Sequence, residues 1–167
     1  ENLAELPHVG TNPGAFPYVR GTKQNNDWFI HHSVCCCTCD YAKANAEAKE
    51  LLSKGIESVG FYMDGSKVQT VEDYAVLLDG IDLNKVPVSF QDSCVRTVES
   101  LKNFLAYADS KGVAKDVVRA TFDFNPLNTL TTKGHFCEEK AFEMLAEAVK
   151  VSAEYKNVKV IAVDATV

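Results

Sequence analysis

Thr70-Val-Glu-Asp-Tyr-Ala-Val-Leu-Leu-Asp-Gly-Ile-Asp-Leu-Asn-Lys-Val-Pro-Val-Ser-Phe90 carries a helix, a turn and a strand in succession. Thr70 followed by Glu72 and Asp73 offers a side-chain cap and an acidic first turn before Tyr74, Val76 and Leu77, so a short helix should start there and run to Gly80. Pro87-Val-Ser-Phe90 then reads as a strand, because Pro cannot continue a helix and the residues after it favour extended backbone. Upstream, Ser58-Val-Gly-Phe-Tyr-Met63 is an earlier strand; downstream, Leu101, Phe104, Leu105 and Ala108 mark a helix over Thr97–Ser110 with Gly112 past its end.

The same alternation extends to both ends. Trp28–Val34 reads as the first strand, Tyr41–Lys54 as the first helix with Ala44, Ala48, Leu51 and Leu52 on one face, and Gly55 as its stop. Arg119–Phe124 is the fourth strand, Glu138–Lys156 the fourth helix and Val158–Ala165 the fifth strand. Strands and helices in strict alternation imply βα units around a parallel sheet. Two topologies remain, an open doubly wound sheet or part of an eight-stranded barrel; the first βα loop has no Gly-x-Gly-x-x-Gly, which disfavours a dinucleotide fold.

Periodicity alone does not decide between them, and other open sheets stay possible; the barrel reading, an α/β fold of TIM type, (β/α)8, truncated to about its first five strands and four helices, also accounts for the abrupt end of the chain. The chain lacks an initial methionine and ends on the apolar run Val160–Val167, which reads as a piece of a longer polypeptide. Residues 1–27 form an expected N-terminal arm and 28–167 the partial barrel. In the arm, Pro13 and Pro17 hold Asn12 and Phe16 in extended geometry, with Phe16, Tyr18 and Arg20 displayed before Trp28. Open strand edges at both sides of such a barrel should promote self-association.

Composition bounds the function classes. The net charge is −6 and the pI about 5.2, without a lysine- or arginine-rich stripe, which argues against nucleic acid as the main partner. No basic-then-apolar leader is visible and no stretch approaches the roughly 18 apolar residues of a membrane span, so a cytoplasmic or organelle-matrix location is the default expectation.

Cys35-Cys-Cys-Thr-Cys39, with His31 and His32 upstream and Cys94 and Cys137 elsewhere, invites a metal reading, but the spacing is not that of paired ligands and the thiols are expected to be free, small hydrophobes. His31 and His32 occupy adjacent strand positions, so one faces each side of the sheet. His135 falls in the loop after the fourth strand, the side where barrel enzymes place catalytic groups. Asp123, Asn125 and Asp164 near strand ends, and Asp64 and Asp92 beyond the second and third strands, would gather at that mouth, although aspartate is also an ordinary turn residue there.

Phe16-Pro-Tyr-Val-Arg-Gly21 followed by Trp28, and the Thr70–Phe90 block, resemble the N-terminal barrel region of the methylmalonyl-CoA mutase family. The resemblance implies a (β/α)8 barrel with CoA threaded along its axis, and radical isomerisation of methylmalonyl-CoA and succinyl-CoA with adenosylcobalamin. Catalytic members carry Arg-Pro-Trp-Thr-Ile-Arg where this chain has Asn26-Asp-Trp-Phe-Ile-His31. Asn26, Phe29 and His31 thus stand at degenerate CoA-channel positions, since neither Asn nor His reproduces a guanidinium fork. Asp123-Phe-Asn125 departs from the family's Gln-Asn-Asp run, and Asp64–Gln69 is a shortened loop.

That pattern is similar to the family's small subunit. It implies a chain without catalytic or metal-ligating residues of its own, paired with a large catalytic subunit that holds the adenosylcobalamin, in propionate metabolism; Phe16, Tyr18, Arg20 and Trp28 are left for packing the arm or meeting the partner. The alternative is a free-standing CoA-ester or metal-dependent barrel enzyme using Asp123, His135 and the cysteine cluster. A third reading is a redox-sensing module built on Cys35–Cys39.

Overall fold

The computed structural model describes residues 10–36, 38, 40–63, 67–91, 96–125, 127, 130, 131, 134 and 138–162. Among these, β1 (His31–Cys36), α1 (Tyr41–Ser53), β2 (Ser58–Met63), α2 (Val71–Leu77), β3 (Val88–Gln91), α3 (Thr97–Ser110), β4 (Ala120–Phe122), α4 (Glu138–Ser152) and β5 (Val158–Lys159) alternate along the chain. The sheet is parallel throughout, in the order β1-β2-β3-β4-β5. It lacks the reversal of strand order that marks a doubly wound sheet. Right-handed crossovers between sequential neighbours put the helices on one face, and each packs on the next, α1 on α2, α2 on α3 and α3 on α4.

The helices start and stop for local reasons. The Asp40 carboxylate accepts from the Lys43 amide at the start of α1, and Gly55 past its end takes a positive φ of 100°. Thr70 and Asp73 form the full capping box, each side chain accepting from the other residue's backbone amide. Asn45, buried on α1, donates to Leu77 O at 2.8 Å and Asp79 O at 2.9 Å, which satisfies the carbonyls ending α2 and ties the two helices together. Buried Gln69 does the same one unit along, accepting from the Ser100 hydroxyl while its own carbonyl accepts from Asn103.

The core lies between the sheet and the helices. Register places Val34, Phe61, Phe90 and Phe122 in one row across four strands, and Val59, Val88, Ala120 and Val158 in the row below. Phe61 stacks on Phe90 at 5.8 Å, Phe90 meets Phe122 at 5.0 Å, and Tyr74 and Phe104 from the helices close on Phe90 at 5.2 Å each. Burying each such ring contributes on the order of 1.5–3 kcal/mol, so the helical layer is held to the sheet chiefly by this aromatic cluster.

Several expected boundaries move. β1 begins at His31, not Trp28: Trp28, Phe29 and Ile30 are exposed, and regular pairing starts only after Ile30 O has accepted from Glu57 N and Ser58 N. α2 ends at Leu77, short of the expected Gly80, with Tyr74 and Leu77 buried and Val76 exposed. β4 keeps Ala120–Phe122 of the expected run, and α4 ends at Ser152, where the chain turns with Tyr155 N donating to Ser152 O at 2.8 Å. β5 is Val158–Lys159; Val160–Ala162 of its expected span are not strand, and the remainder, from 163 onward, lies outside the described residues.

Over residues 12–21 the described part of the arm is not extended. Gly14 N donates to Gly21 O, Tyr18 N to Ala15 O and Gly21 N to Tyr18 O, so the segment folds back on itself. Positive φ values at Gly14 and Gly21 permit those turns, and Tyr18 adopts one of 64°, a region a side-chain-bearing residue enters at a cost. Gly14 and Gly21, within eight positions of chain, turn the expected extended run into a closed loop.

Candidate functional site

The strand face opposite the helices carries a different chemistry. Its rows, by register, are His31 beside Ser58; then Ser33, Gly60, Ser89, Thr121 and Lys159; then Cys35, Tyr62 and Gln91. The middle row is mostly small, and a cleft of about 590 Å³ opens on this face, lined among others by Phe29, His31, Ser58, Ser89, Arg119 and Asp123, with Ser33 just beyond its lining and 3.2 Å from His31. The Arg119 guanidinium lies over the Phe29 ring at 4.9 Å and donates to Lys85 O at 2.7 Å, forming one wall. Lys156 and Lys159 stand on the same rim.

His31 is the centre of the face. Its Nδ1 is 2.9 Å from Ser58 Oγ, and Ser58 Oγ in turn donates to Pro87 O at 3.0 Å. A hydroxyl has one proton; with that proton on Pro87 O, the imidazole donates at Nδ1 and its Nε2 is the acceptor. Nε2 is 3.2 Å from Ser33 Oγ and 3.5 Å from Ser89 Oγ. Burial, and secondarily the neighbouring His32, lower the His31 pKa, which favours the neutral ring. Gly60 makes the cluster possible: a Cβ there would fall 2.5 Å from Ser33 Oγ, 2.6 Å from Ser89 Oγ and 2.9 Å from His31 Nε2.

Of the residues that the resemblance set at channel positions, Phe29, His31 and Asp123 line this one cleft. Asn26 does not; it lines a separate cleft in the arm with Pro13, Arg20, Lys23 and Trp28. Phe16 and Tyr18 are exposed as expected and meet edge to face at 6.0 Å, Trp28 is exposed as well, and Arg20 Nη1 holds Thr11 O at 3.1 Å. His32 takes the register of Val59 on the helix side, so the two histidines do face opposite ways.

Asn125 is buried and Asp123 partly so. Asp64, Asp92, Asp164, His135, Cys37, Cys39, Cys94 and Cys137 lie outside the described residues, and with them most of the expected carboxylate mouth and cysteine cluster. Cys35 is disulfide-bonded rather than free, while Cys36 is a buried free thiol. Among the described residues no group of His, Cys, Asp and Glu is placed to hold a metal ion, and no helix is long and apolar enough to cross a membrane.

Ser33, Ser58, Gly60 and Ser89 were not singled out from the sequence. A signal was present: in His-His-Ser-Val, Ser-Val-Gly-Phe and Val-Ser-Phe-Gln small residues alternate with large apolar ones, which marks a strand with one packed and one unfilled face.

Comparison with known proteins bears on what such a face belongs to. The family model for methylmalonyl-CoA mutase matches residues 58–166. The methylmalonyl-CoA mutase small subunit of Porphyromonas gingivalis is 28% identical over 134 residues, covering 80% of this chain and 21% of that protein. The small subunit of Streptomyces virginiae is 27% identical over 158 residues, covering 92% and 25%. The methylmalonyl-CoA mutase of Rhizobium meliloti is 20% identical over 181 aligned positions, also covering 92% and 25%. The chain thus spans about a quarter or less of the length of these relatives.

Proposed function

This chain belongs to the methylmalonyl-CoA mutase family, and we propose that it is the N-terminal barrel portion of a small subunit, which pairs with a large catalytic subunit and takes no chemical part in the isomerisation. The sequential parallel sheet supports the reading as part of a (β/α)8 barrel, whose interior would be the face carrying Ser33, Ser89 and Thr121. The observation that carries the non-catalytic reading is His31. Where catalytic members resemble one another in carrying an arginine, this chain has an imidazole with both ring nitrogens already turned to serines, and Phe29 beside it is covered by Arg119. A guanidinium fork that would hold a phosphate or carboxylate is replaced by an internally engaged ring.

Adenosylcobalamin belongs to the partner in this reading. A cleft of about 590 Å³ is of the size that takes a drug-sized molecule, about 300–1,000 Å³. A corrin with its nucleotide loop is much larger, and the residues lining the cleft do not fit it. The arm's exposed Phe16, Tyr18 and Trp28, with Arg20, have the aromatic and arginine composition of interface anchors and are the part of this chain assigned to the partner. The outer strands β1 and β5 would be the route to self-association when the chain is alone.

Coexpression with a large mutase subunit tests the proposal. The two should copurify and, with adenosylcobalamin, interconvert methylmalonyl-CoA and succinyl-CoA, whereas this chain with the same cofactor should give no turnover. Isomerisation by the chain alone would overturn the assignment. Sedimentation of the isolated chain should show dimers or larger species, shifting to a defined heteromer when the large subunit is added.

A further inference from the structure

We propose that Ser33 and His31 form an acyl-accepting pair on the hydroxyl face, a site for ester or thioester substrates separate from the isomerisation. A weak hydroxyl nucleophile is activated when an adjacent base accepts its proton and a third group orients that base. All three parts are present. Ser33 Oγ is 3.2 Å from His31 Nε2, the imidazole donates through Nδ1 to Ser58 Oγ, and Ser58 is fixed by its own bond to Pro87 O. The tautomer is therefore the one a base needs, with the free lone pair directed at the hydroxyl. Burial of the ring supports the same state by holding it neutral near pH 7.

The surroundings fit a substrate. Gly60 lets the reacting groups converge, since a Cβ there would collide with Ser33, Ser89 and His31. Ser89 Oγ, 3.5 Å from the same Nε2, is a second hydroxyl beside the reacting atoms and a donor for a developing oxyanion. Arg119, Lys156 and Lys159 on the rim, against Asp123, leave the cleft with an excess of positive charge and favour a substrate with an anionic chain.

The step is acyl transfer. Ser33 Oγ bonds to the substrate carbonyl carbon while its proton passes to His31 Nε2; the carbon–oxygen or carbon–sulfur bond to the leaving group then breaks, and the leaving group departs with that proton. Water attacking the acyl-serine, its proton taken by His31, releases the carboxylic acid and restores the hydroxyl. Ser33 and His31 are the reacting groups; Ser58 is a positioning residue.

The experiment incubates the intact chain with p-nitrophenyl acetate and, separately, a serine-directed fluorophosphonate, and maps the adduct by peptide mass spectrometry. The expected adduct is on Ser33. Ser33→Ala should abolish it, and His31→Gln should slow its formation by about 100-fold or more, while His32→Ala, on the opposite face, should leave it unchanged. Ser58→Ala should slow labelling by about tenfold and displace its pH profile, which a purely structural serine would not do. Circular dichroism of each variant checks that it folds. A folded chain that stays unlabelled, an adduct on Ser89 or elsewhere, or labelling indifferent to His31→Gln would each overturn the proposal.

Discussion

One sheet presents two faces that obey different rules. Toward the helices, Phe61, Phe90 and Phe122 stack in a row closed by Tyr74 and Phe104. Away from them, the same strands show Ser33, Gly60, Ser89 and Thr121, one residue out of step. The first face is organised by volume, since apolar side chains gain by excluding water whatever their exact partner. The second is organised by hydrogen bonds, each with a direction and a limited number of protons. The difference explains why stability should be concentrated on one side and chemistry on the other.

The sharpest way to break the comparison is a cavity on the helix side. Phe90→Ala should cost about 3–5 kcal/mol, read as a lowered urea midpoint, because it removes the ring that Phe61, Phe122, Tyr74 and Phe104 all touch. A loss under about 1 kcal/mol would mean the cluster does not hold the layers together.

Gly60→Ala should come next, at about 1–3 kcal/mol from overpacking. Here the damage is an added atom, which would collide with Ser33, Ser89 and His31. In a Gly60→Ala, Ser89→Ala double variant, part of that loss should return, since one of the colliding oxygens is gone; no recovery would show that the backbone, not the hydroxyl, sets the limit.

The pH dependence of stability should be smaller and specific to the open face. The His31 pKa is lowered in the folded chain from its ordinary 6.5. The unfolded chain then binds protons more readily between the two values, so this contribution is complete above about pH 6.5 and is lost as pH falls from there through the folded value. Urea midpoints of the parent chain should fall with that pH change more steeply than those of His31→Gln, and parallel curves would remove His31 as the source.

The smallest effect should be Thr121→Ala. This residue shares the row of Ser89 but is bonded to no part of the His31 cluster, and its truncation should stay within about 0.5 kcal/mol. A larger loss in thermal melting would extend the hydrogen-bonded network across β4.

Much of the helical face was legible in advance because its signals are local. The cap at Thr70, the stop at Gly55 and Gly112, and the spacing of Leu101, Phe104 and Leu105 each depend on residues within one or two turns. Trp28–Ile30 misled because apolar character alone reads as strand, whereas the ladder starts where β2 offers a partner. The resemblance selected His31, Phe29 and Asp123 as a group, and they do line one cleft, but Asn26 sits in another because the arm closes on itself before reaching the sheet.

The amino-acid order by itself determined the alternation of strands and helices, the caps that bound them and the split of each strand into a large apolar and a small polar side, all of which follow from chain-local sterics and periodicity. It did not determine which hydroxyls would meet His31. Ser33 is two residues away, but Ser58 and Ser89 arrive from β2 and β3, and Gly60 makes room from a third position in that register. Only the parallel pairing of separate strands decides such contacts, because a hydrogen bond needs its partners within about 3.5 Å and no local rule fixes a distance across the sheet.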